Sequence, residues 1–384
     1  MHVLRSAGMN NSTTEAFLAL VRGGLWEKDV DLSPFREADW SEVLILAREQ
    51  AVDGLVYAGL ENLKKGGLSG EGYDLFRARV DSIREKSEAM NEMAGWLVGR
   101  LREEGVFAVL VKGQGIAQCY ERPLLRSAGD IDLLLPPASY GKARKVLEPF
   151  AQECHGDRGL AAMHTDMKIS NWTVELHGTV HCGLSRKSDR MLDTLRDSMS
   201  EGCNVRIWHN PEGDVFLPSP DFDIIIIFSH ILQHFFKNGI GLRQICDLCR
   251  LLWTYRDEID RDALGERLRA MGFTAEWKVF AALIVESLGM PAEAMPLYDG
   301  SPSVSRKAQK VLGFIFKVGN FNRKRTKGHG KLGYFSRKLR SITMRLGDTI
   351  FLTGIFPKDA FRFFASTTVH GLEAIFHERI LRKK

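Results

Sequence analysis

Hydrophobic positions give the first third of the chain a helical pattern. Between residues 13 and 104, apolar residues recur at three- and four-residue spacing, which is typical of amphipathic helices. We expect breaks between these helices at Ser33-Pro34 and at Gly66-Gly67, because proline and glycine interrupt helical patterns. The last helix is expected to run to about Glu104 and to end at Gly105, since glycine commonly terminates helices.

A different pattern follows Gly105. Val106–Val111 is a short apolar run rich in β-branched and aromatic residues, and it predicts a buried strand. Trp172–His177 has an alternating character and predicts another strand. The remaining elements expected in this part are a tight turn at Lys112–Gly115, a short helix from Ile116 to Tyr120, a strand at Ile131–Leu135, a helix at Ser139–Pro149 and a strand at Asn204–His209.

Helical spacing returns between Asp221 and about Leu288. The pattern therefore predicts an α+β protein, in which a small mixed β-sheet core is flanked by N-terminal and C-terminal helical regions. We expect four parts: a helical region at 1–95, the core at 96–217, a helical domain at 218–300, and a basic, aromatic-containing segment at 301–384.

The charge is distributed unevenly. The net charge is +5, but residues 301–384 hold 19 lysine or arginine residues against 4 acidic ones, so the rest of the chain is acidic. This segment could bind a polyanion such as RNA or an acidic lipid surface, or it could be a solvated basic tail. Its aromatic residues could stack on bases, form an amphipathic helix at Phe351–Phe364, or pack on the main body; those interleaved with basic residues are Phe314, Phe316, Phe321, Tyr334 and Phe335.

The chain has no secretory pattern near its first residues, and its most apolar run, Ile224–Leu232, is far too short to span a bilayer. We therefore expect a cytoplasmic protein, with a peripheral membrane location as a further option. Its six cysteines are expected to be reduced. Cys246 and Cys249 form a Cys-x-x-Cys in an apolar helical run, where core packing is favoured over a zinc site because no second pair is suitably spaced.

The sequence Gly129-Asp130-Ile131-Asp132 carries the strongest chemical signal. In a strand, Asp130 and Asp132 point to the same face, because side chains alternate. Two adjacent carboxylates repel unless a cation neutralises them, and Mg²⁺ prefers such oxygen ligands together with phosphate oxygens. A bare Asp-x-Asp also occurs by chance on surface strands. Glu175, in the strand predicted at Trp172–His177, could complete a metal site or act as a base.

Lys112 and Gly113 add a candidate phosphate contact at the end of the first predicted strand. Glycine allows close approach to the backbone, a helix start offers free N–H groups, and lysine supplies a point charge. Arg126 is a second candidate for a phosphate contact or, equally, a surface arginine. The pair Gly113-x-Gly115 does not continue as a dinucleotide-binding fingerprint, because Gln118 stands at the third glycine position.

Four residues of the C-terminal half have open roles. His230 and His234 lie four residues apart, so they share one helix face, where they could pack in the core, lie near an acceptor or bind a metal. Arg243 and Asp247 could form a helical ion pair worth about 0.3–0.5 kcal/mol, or they could line a cleft and position an acceptor.

The run VLVKGQGIAQCYERPLLRSAGDIDLLLP resembles the uncharacterised bacterial nucleotidyltransferase family, a branch of the polymerase-β-like superfamily. Lys112-Gly113 matches its first motif, and Tyr120, Arg126 and Asp130-Ile131-Asp132 match its second. Glu175-Leu176-His177 matches an acid-x-His motif that follows. His230, Leu242-Arg243 and Asp247 match a further pattern, and the likeness covers roughly residues 15–290. One departure concerns Lys112-Gly113, which stands where the superfamily usually has Gly-Ser, a change shared by this branch.

The resemblance implies Mg²⁺-dependent transfer of a nucleoside monophosphate from an NTP, by abundance ATP, to an acceptor hydroxyl. It implies Asp130, Asp132 and Glu175 as metal ligands, with Glu175 alternatively a base, and Lys112, Gly113 and Arg126 as the nucleotide contacts. His177, His230, Arg243 and Asp247 are candidates for the acceptor side. The acceptor could be a small molecule, an RNA or a protein. The alternative function is an inactive scaffold that binds RNA or a partner through the basic segment.

Overall fold

The structure is a computed structural model, and it describes residues 11–63, 70–156, 163–200, 202–320, 347–358 and 360. The helices named in this account are α1 (Asn11–Trp26), α2 (Trp40–Glu49), α3 (Asp53–Glu61), α4 (Glu71–Glu103), α5 (Gly113–Ala117), α6 (Pro137–Leu147), α7 (Arg186–Ser200), α8 (Pro220–Lys237), α9 (Leu242–Thr254), α10 (Arg261–Met271), α11 (Thr274–Leu288) and α12 (Pro302–Val318). The strands are β1 (Val109–Val111), β2 (Ile131–Leu134), β3 (Ala151–Gly156), β4 (His164–Ile169), β5 (Trp172–His177), β6 (Val205–Asn210) and β7 (Gly213–Pro218).

The strands form one mixed sheet of seven strands, in the order β3-β4-β5-β2-β1-β7-β6. β2 runs antiparallel to β1 and parallel to β5, while β4 runs antiparallel to both β3 and β5. This arrangement confirms the predicted α+β class with a mixed sheet and flanking helices. The sheet is larger than the sequence pattern indicated, because β3, β4 and β7 were not predicted.

The two faces of the sheet pack into different cores. Ile131 and Leu133 of β2 belong to a smaller core that includes the C-terminal half of α4. Leu134 belongs to a larger core built by the N-terminal and C-terminal helices. Since successive strand residues point to opposite faces, Asp132 shares the face of Leu134. The carboxylate is therefore directed toward the side of the sheet where α8 and α9 lie.

Helices α1 and α3 approach each other closely at glycines. A Cβ atom added to Gly59 of α3 would collide with the backbone carbonyl oxygen of Leu20 in α1. A Cβ atom on Gly24 of α1 would likewise collide with the carbonyl oxygen of Leu55 in α3. This reciprocal contact lets the two backbones pack at a distance that no larger residue permits.

The C-terminal aromatic residues that the structure describes pack on the main body. Phe314 and Phe316 of α12 are buried, and the Phe316 ring meets Phe17 of α1 edge to face at 5.8 Å. Phe356 is buried too, and Phe351 stacks on Phe314 with 5.5 Å between ring centroids. Stacking of Phe314 and Phe316 on nucleic-acid bases, one of the options raised by the sequence, is therefore wrong. The remaining candidates lie outside the described residues: Phe321, Tyr334, Phe335 and the end of the segment Phe351–Phe364.

Several predicted element boundaries shift. The turn expected at Lys112–Gly115 is confined to Lys112, whose φ is +59°, and α5 begins at Gly113 rather than at Ile116. The first strand covers only Val109–Val111 of the predicted run. The four-part domain division remains a prediction, although α4 is continuous across residue 95. Among the described residues, no helix combines the length and apolarity needed to cross a membrane.

Candidate active site

The sheet register brings two carboxylates side by side. Asp132 of β2 is the register partner of Glu175 in the parallel neighbour β5. Asp130 lies two residues before Asp132, just outside the strand. The Asp132 side chain is 4% exposed and that of Glu175 is 23% exposed. The three acids predicted from the sequence therefore meet on one face of the sheet.

A lysine partly neutralises this acidic group. The Nζ atom of Lys112 donates to Oδ1 of Asp132 at 2.8 Å. Burial alone would lower the pKa of Lys112, but the charge of Asp132 outweighs it and the pKa is raised. Lys112 lies at the end of β1, which is antiparallel to β2 and pairs Val111 with Asp132. Lys112, which was predicted to contact a phosphate, thus forms an ion pair with the Asp132 carboxylate in this structure.

The acids differ in their electrostatic state. Partial removal from water, followed by repulsion from Asp132 and Glu175, raises the pKa of Asp130 to about 6. Burial would also raise the pKa of Asp132, but Lys112 and His177 outweigh it and the pKa is lowered. Hydrogen bonds from His164 and His177 hold the pKa of Glu175 far below its ordinary value. Asp130 is therefore the acid whose negative charge is least compensated.

His177 joins the two strand carboxylates. Its Nε2 atom donates to Oδ1 of Asp132 at 2.8 Å and lies 3.3 Å from Oε2 of Glu175. His164 of β4, the register partner of His177, approaches the same Glu175 oxygen at 3.4 Å. His164 was missed from the sequence because β4 was not predicted as a strand. The sequence HTDMKI is mostly polar, so it carried no clear strand signal that could have found His164.

Arg126 is committed to an acid from the C-terminal half. Its Nε and Nη2 atoms donate to the two carboxylate oxygens of Asp247 at 2.7 and 2.8 Å, and Tyr120 Oη donates to Asp247 Oδ1 at 2.8 Å. The side chains of Arg126 and Asp247 are both less than one-tenth exposed. Nη1 of Arg126 has no hydrogen-bond partner among the described residues. This atom remains available to an anion.

Arg243 and Asp247 do not form the helical ion pair that their spacing allows. Nη1 of Arg243 donates instead to the backbone carbonyl of Ser127 at 2.6 Å, in the loop before Asp130. Burial, followed by repulsion from Arg126, lowers the pKa of Arg243. Its Nε atom is buried and has no partner within the described part of the chain. Arg243 therefore braces the loop that carries Asp130.

The two helical histidines face the same space. His230 and His234 of α8 are half-buried, and their ring centroids are 4.3 Å apart. Burial, followed by the positive charge of Lys112, keeps the pKa of His230 well below its ordinary value. The same two effects lower the pKa of His234 to about 4. Both rings are therefore neutral at pH 7.

These residues surround one cleft of about 890 Å³. All of the site residues predicted from the sequence line it except His177, which contacts Asp132 and Glu175. Arg48 of α2 and Lys86 of α4 add positive charge from the N-terminal helices, whereas Arg79 of α4 is paired with Asp53 at 2.7 Å. The cleft therefore combines a carboxylate group on the sheet with several cations around it, an arrangement suited to a metal-bound polyphosphate.

Among comparisons with known proteins, a family model gives a match over most of the chain. Residues 36–289 match the family described as "Uncharacterised nucleotidyltransferase". No curated protein matches the chain. Among solved structures, an antigenic nucleotidyltransferase-like protein from Paracoccidioides brasiliensis is 12% identical, with 52% of this chain and 92% of that chain covered, and its TM-score of 0.32 is too low to show a shared fold.

The matched region is well over half of the chain, and it contains the whole sheet and the cleft. The chain belongs to this nucleotidyltransferase family. Membership supports a general nucleotidyltransferase role, in which a nucleoside triphosphate is the substrate.

Proposed function

We propose that the protein is a Mg²⁺-dependent enzyme that transfers a nucleoside monophosphate from an NTP to an acceptor hydroxyl. The observation that carries the proposal is the convergence of Asp130, Asp132 and Glu175 at the sheet face of the cleft. We further propose ATP as the nucleotide, from its abundance. The free cysteine thiols are typical of the cytoplasm, which we propose as the location, with a peripheral association to membranes as a further option.

The three carboxylates suit a divalent cation. Repulsion from Asp132 and Glu175 contributes to the raised pKa of Asp130. The three carboxylates together therefore carry more negative charge than Lys112 can neutralise. All three offer oxygen ligands, the type that Mg²⁺ prefers. When bound, Mg²⁺ would neutralise charge on the triphosphate and on the departing pyrophosphate.

The chain's own cations would position the phosphates. Nη1 of Arg126 and Nε of Arg243 are buried N–H groups that lack partners among the described residues, and both side chains line the cleft. Asp247 holds Arg126 in place through two hydrogen bonds. Lys112 is already oriented toward the carboxylates. A triphosphate in the cleft would satisfy these donors, since a buried polar group without a partner is unfavourable.

The reaction forms a bond between the acceptor oxygen and the α-phosphorus and breaks the bond from that phosphorus to the bridging oxygen of pyrophosphate. The acceptor loses a proton in this step. Glu175 is a weak base, because His164 and His177 lower its pKa, so a role as ligand suits it better. The proton is therefore assigned to water in the open cleft.

The test is an incubation of the protein with each α-labelled NTP, Mg²⁺ and a cell extract as the source of acceptors. Wild-type protein should transfer label, and Asp132→Asn and Asp130→Asn should abolish the transfer. Asp257→Asn is the matched control, because its side chain is 84% exposed and lies on the loop after α9. Unfolding curves verify that each variant is folded. Transfer by both site variants at the wild-type rate would refute the proposal, and labelled RNA or protein would identify the acceptor class.

A further inference from the structure

A second group of potential metal ligands lies beside the carboxylates, on neighbouring strands. In the register of β4 with β5, His164 is opposite His177 and Asp166 is opposite Glu175. These four residues alternate with buried residues of the same strands, so they share one face of the sheet. Two imidazoles and two carboxylates thus form a compact block at the edge of the cleft.

Three ligand atoms in this block converge. Nε2 of His164 lies 3.4 Å from Oε2 of Glu175, and Nε2 of His177 lies 3.3 Å from the same oxygen. The three atoms are all within 4.8 Å of one another. The two rings are tilted by 34° to each other, with 4.8 Å between their centroids.

We propose that His164, His177 and Glu175 bind a tetrahedral first-row transition metal, with Zn²⁺ as the expected ion. Two ligand atoms at zinc-ligand distance from a tetrahedral ion lie about 3.3 Å apart, which the two measured separations match. Neighbouring oxygens around octahedral Mg²⁺ are closer, at about 2.9 Å. Imidazole nitrogen also suits zinc, whereas Mg²⁺ prefers oxygen.

An unsatisfied oxygen supports a cation at this position. Oδ1 of Asp166 is buried and accepts no hydrogen bond within the described residues, although it lies 3.3 Å from Nε2 of His164. A metal ion bound by His164 would offset the negative charge of this carboxylate oxygen. The three ligands would leave one coordination position open, which is typical of a catalytic rather than a structural zinc site.

Metal binding at this site requires the lone pairs of both Nε2 atoms. Binding of the ion therefore replaces the hydrogen bond from His177 to Asp132, and the proton on Nε2 is released to water. Glu175 would be shared with the proposed Mg²⁺ site, but Asp130 would not. The inference is therefore separable from the proposed nucleotidyl transfer, since it rests on different ligands and can be measured without a nucleotide.

The probe is Co²⁺, added to metal-free protein in the presence of excess Mg²⁺, which fills oxygen-only sites. The visible absorption of Co²⁺ is much stronger in four-coordinate than in six-coordinate sites. We expect a strong four-coordinate band at one ion per chain, displaced by Zn²⁺ but not by further Mg²⁺. His164→Gln should weaken Co²⁺ binding by more than the roughly 10–100-fold typical of an outer-shell residue.

His155→Gln is the matched control. His155 lies on the adjacent strand β3, its side chain is 76% exposed, and its substitution should leave the Co²⁺ band unchanged. Asp130→Asn should retain the band while losing nucleotidyl transfer, so failure of one proposal is distinguished from failure of the other. A weak six-coordinate spectrum in wild-type protein, or an unchanged band in His164→Gln, would overturn the inference.

Discussion

Asp130 is an acid whose ionised form is disfavoured in the folded protein. Its pKa of about 6 lies above the ordinary value of 3.8, so ionisation costs stability at pH values above about 6, and this cost disappears as the pH falls below the ordinary value. In metal-free protein, Asp130→Asn should therefore raise the free energy of unfolding at pH 7.5 and change it little at pH 4. Denaturant unfolding with a chelator present measures this difference.

The effect of Asp130→Asn on the free energy of unfolding should reverse its sign when Mg²⁺ is present. Wild-type protein should gain stability from Mg²⁺, because the ion relieves the repulsion around Asp130, whereas Asp130→Asn should gain less. Asp257→Asn serves as the exposed control and should behave as wild type in both conditions. If Asp130→Asn proves less stable than wild type at pH 7.5 in chelator, the assigned repulsion is incorrect.

The partners of Asp247 show what sequence spacing can and cannot reveal at this scale. Its distance of four residues from Arg243 indicates a local helical pair, but its salt bridge is with Arg126, 121 residues away in the chain. A buried carboxylate needs hydrogen-bond donors. Arg126 donates to both oxygens of Asp247, and Tyr120 adds a third hydrogen bond, so Asp247 pairs with Arg126 rather than with Arg243. Local spacing indicates which residues could meet, whereas tertiary packing decides between them.

At the scale of elements, β1, β2, β5 and β6 were predictable from the sequence, whereas β3, β4 and β7 were not. β5 was predicted with its observed bounds, because WTVELH alternates clearly. β3 and β4 read as polar sequence, and α7 is so rich in charge that its few apolar residues did not stand out. β4 forms through pairing with β5 on one side and β3 on the other, which is information that its own residues do not hold.

Two glycines in helices should respond oppositely to the same substitution. Gly59→Ala should destabilise the protein by about 1–3 kcal/mol, because the new methyl group collides with the Leu20 carbonyl in α1. Gly99→Ala should stabilise it by about 0.5–1 kcal/mol, since an added Cβ meets no atom within 4 Å and alanine favours α4. Thermal and denaturant unfolding measure the sign of the change in the free energy of unfolding for each substitution. Equal effects of the two substitutions would contradict the close packing of α1 on α3.

Across the whole molecule, the succession of helical, mixed and helical parts was predictable from periodicity. The way these parts assemble was not. α4 contributes Phe76 and Val80 to the larger core and Leu97 and Leu101 to the smaller one, so a single helix joins both. The cleft likewise takes residues from the N-terminal helices, the sheet and α8 and α9.

A ligand in this cleft should therefore stabilise the molecule as one unit. Mg²⁺ with ATP, at 100 times the dissociation constant, should raise the free energy of unfolding by about 2.7 kcal/mol, and one cooperative transition should move to higher temperature. Calorimetry with and without Mg²⁺·ATP measures this shift, and Asp132→Asn should lose it. Two separate transitions, of which only one moves, would show that the cleft does not connect the cores.

The ion pair of Lys112 with Asp132 has a consequence for the order of events. A chain that supplies its own counter-ion can complete folding before any divalent ion arrives. In the proposed reaction, a metal that took Oδ1 of Asp132 as a ligand would compete with that ammonium, so the lysine would raise the concentration of free metal that is needed. Once displaced, the same ammonium would lie next to the incoming triphosphate and would be free to contact the nucleotide.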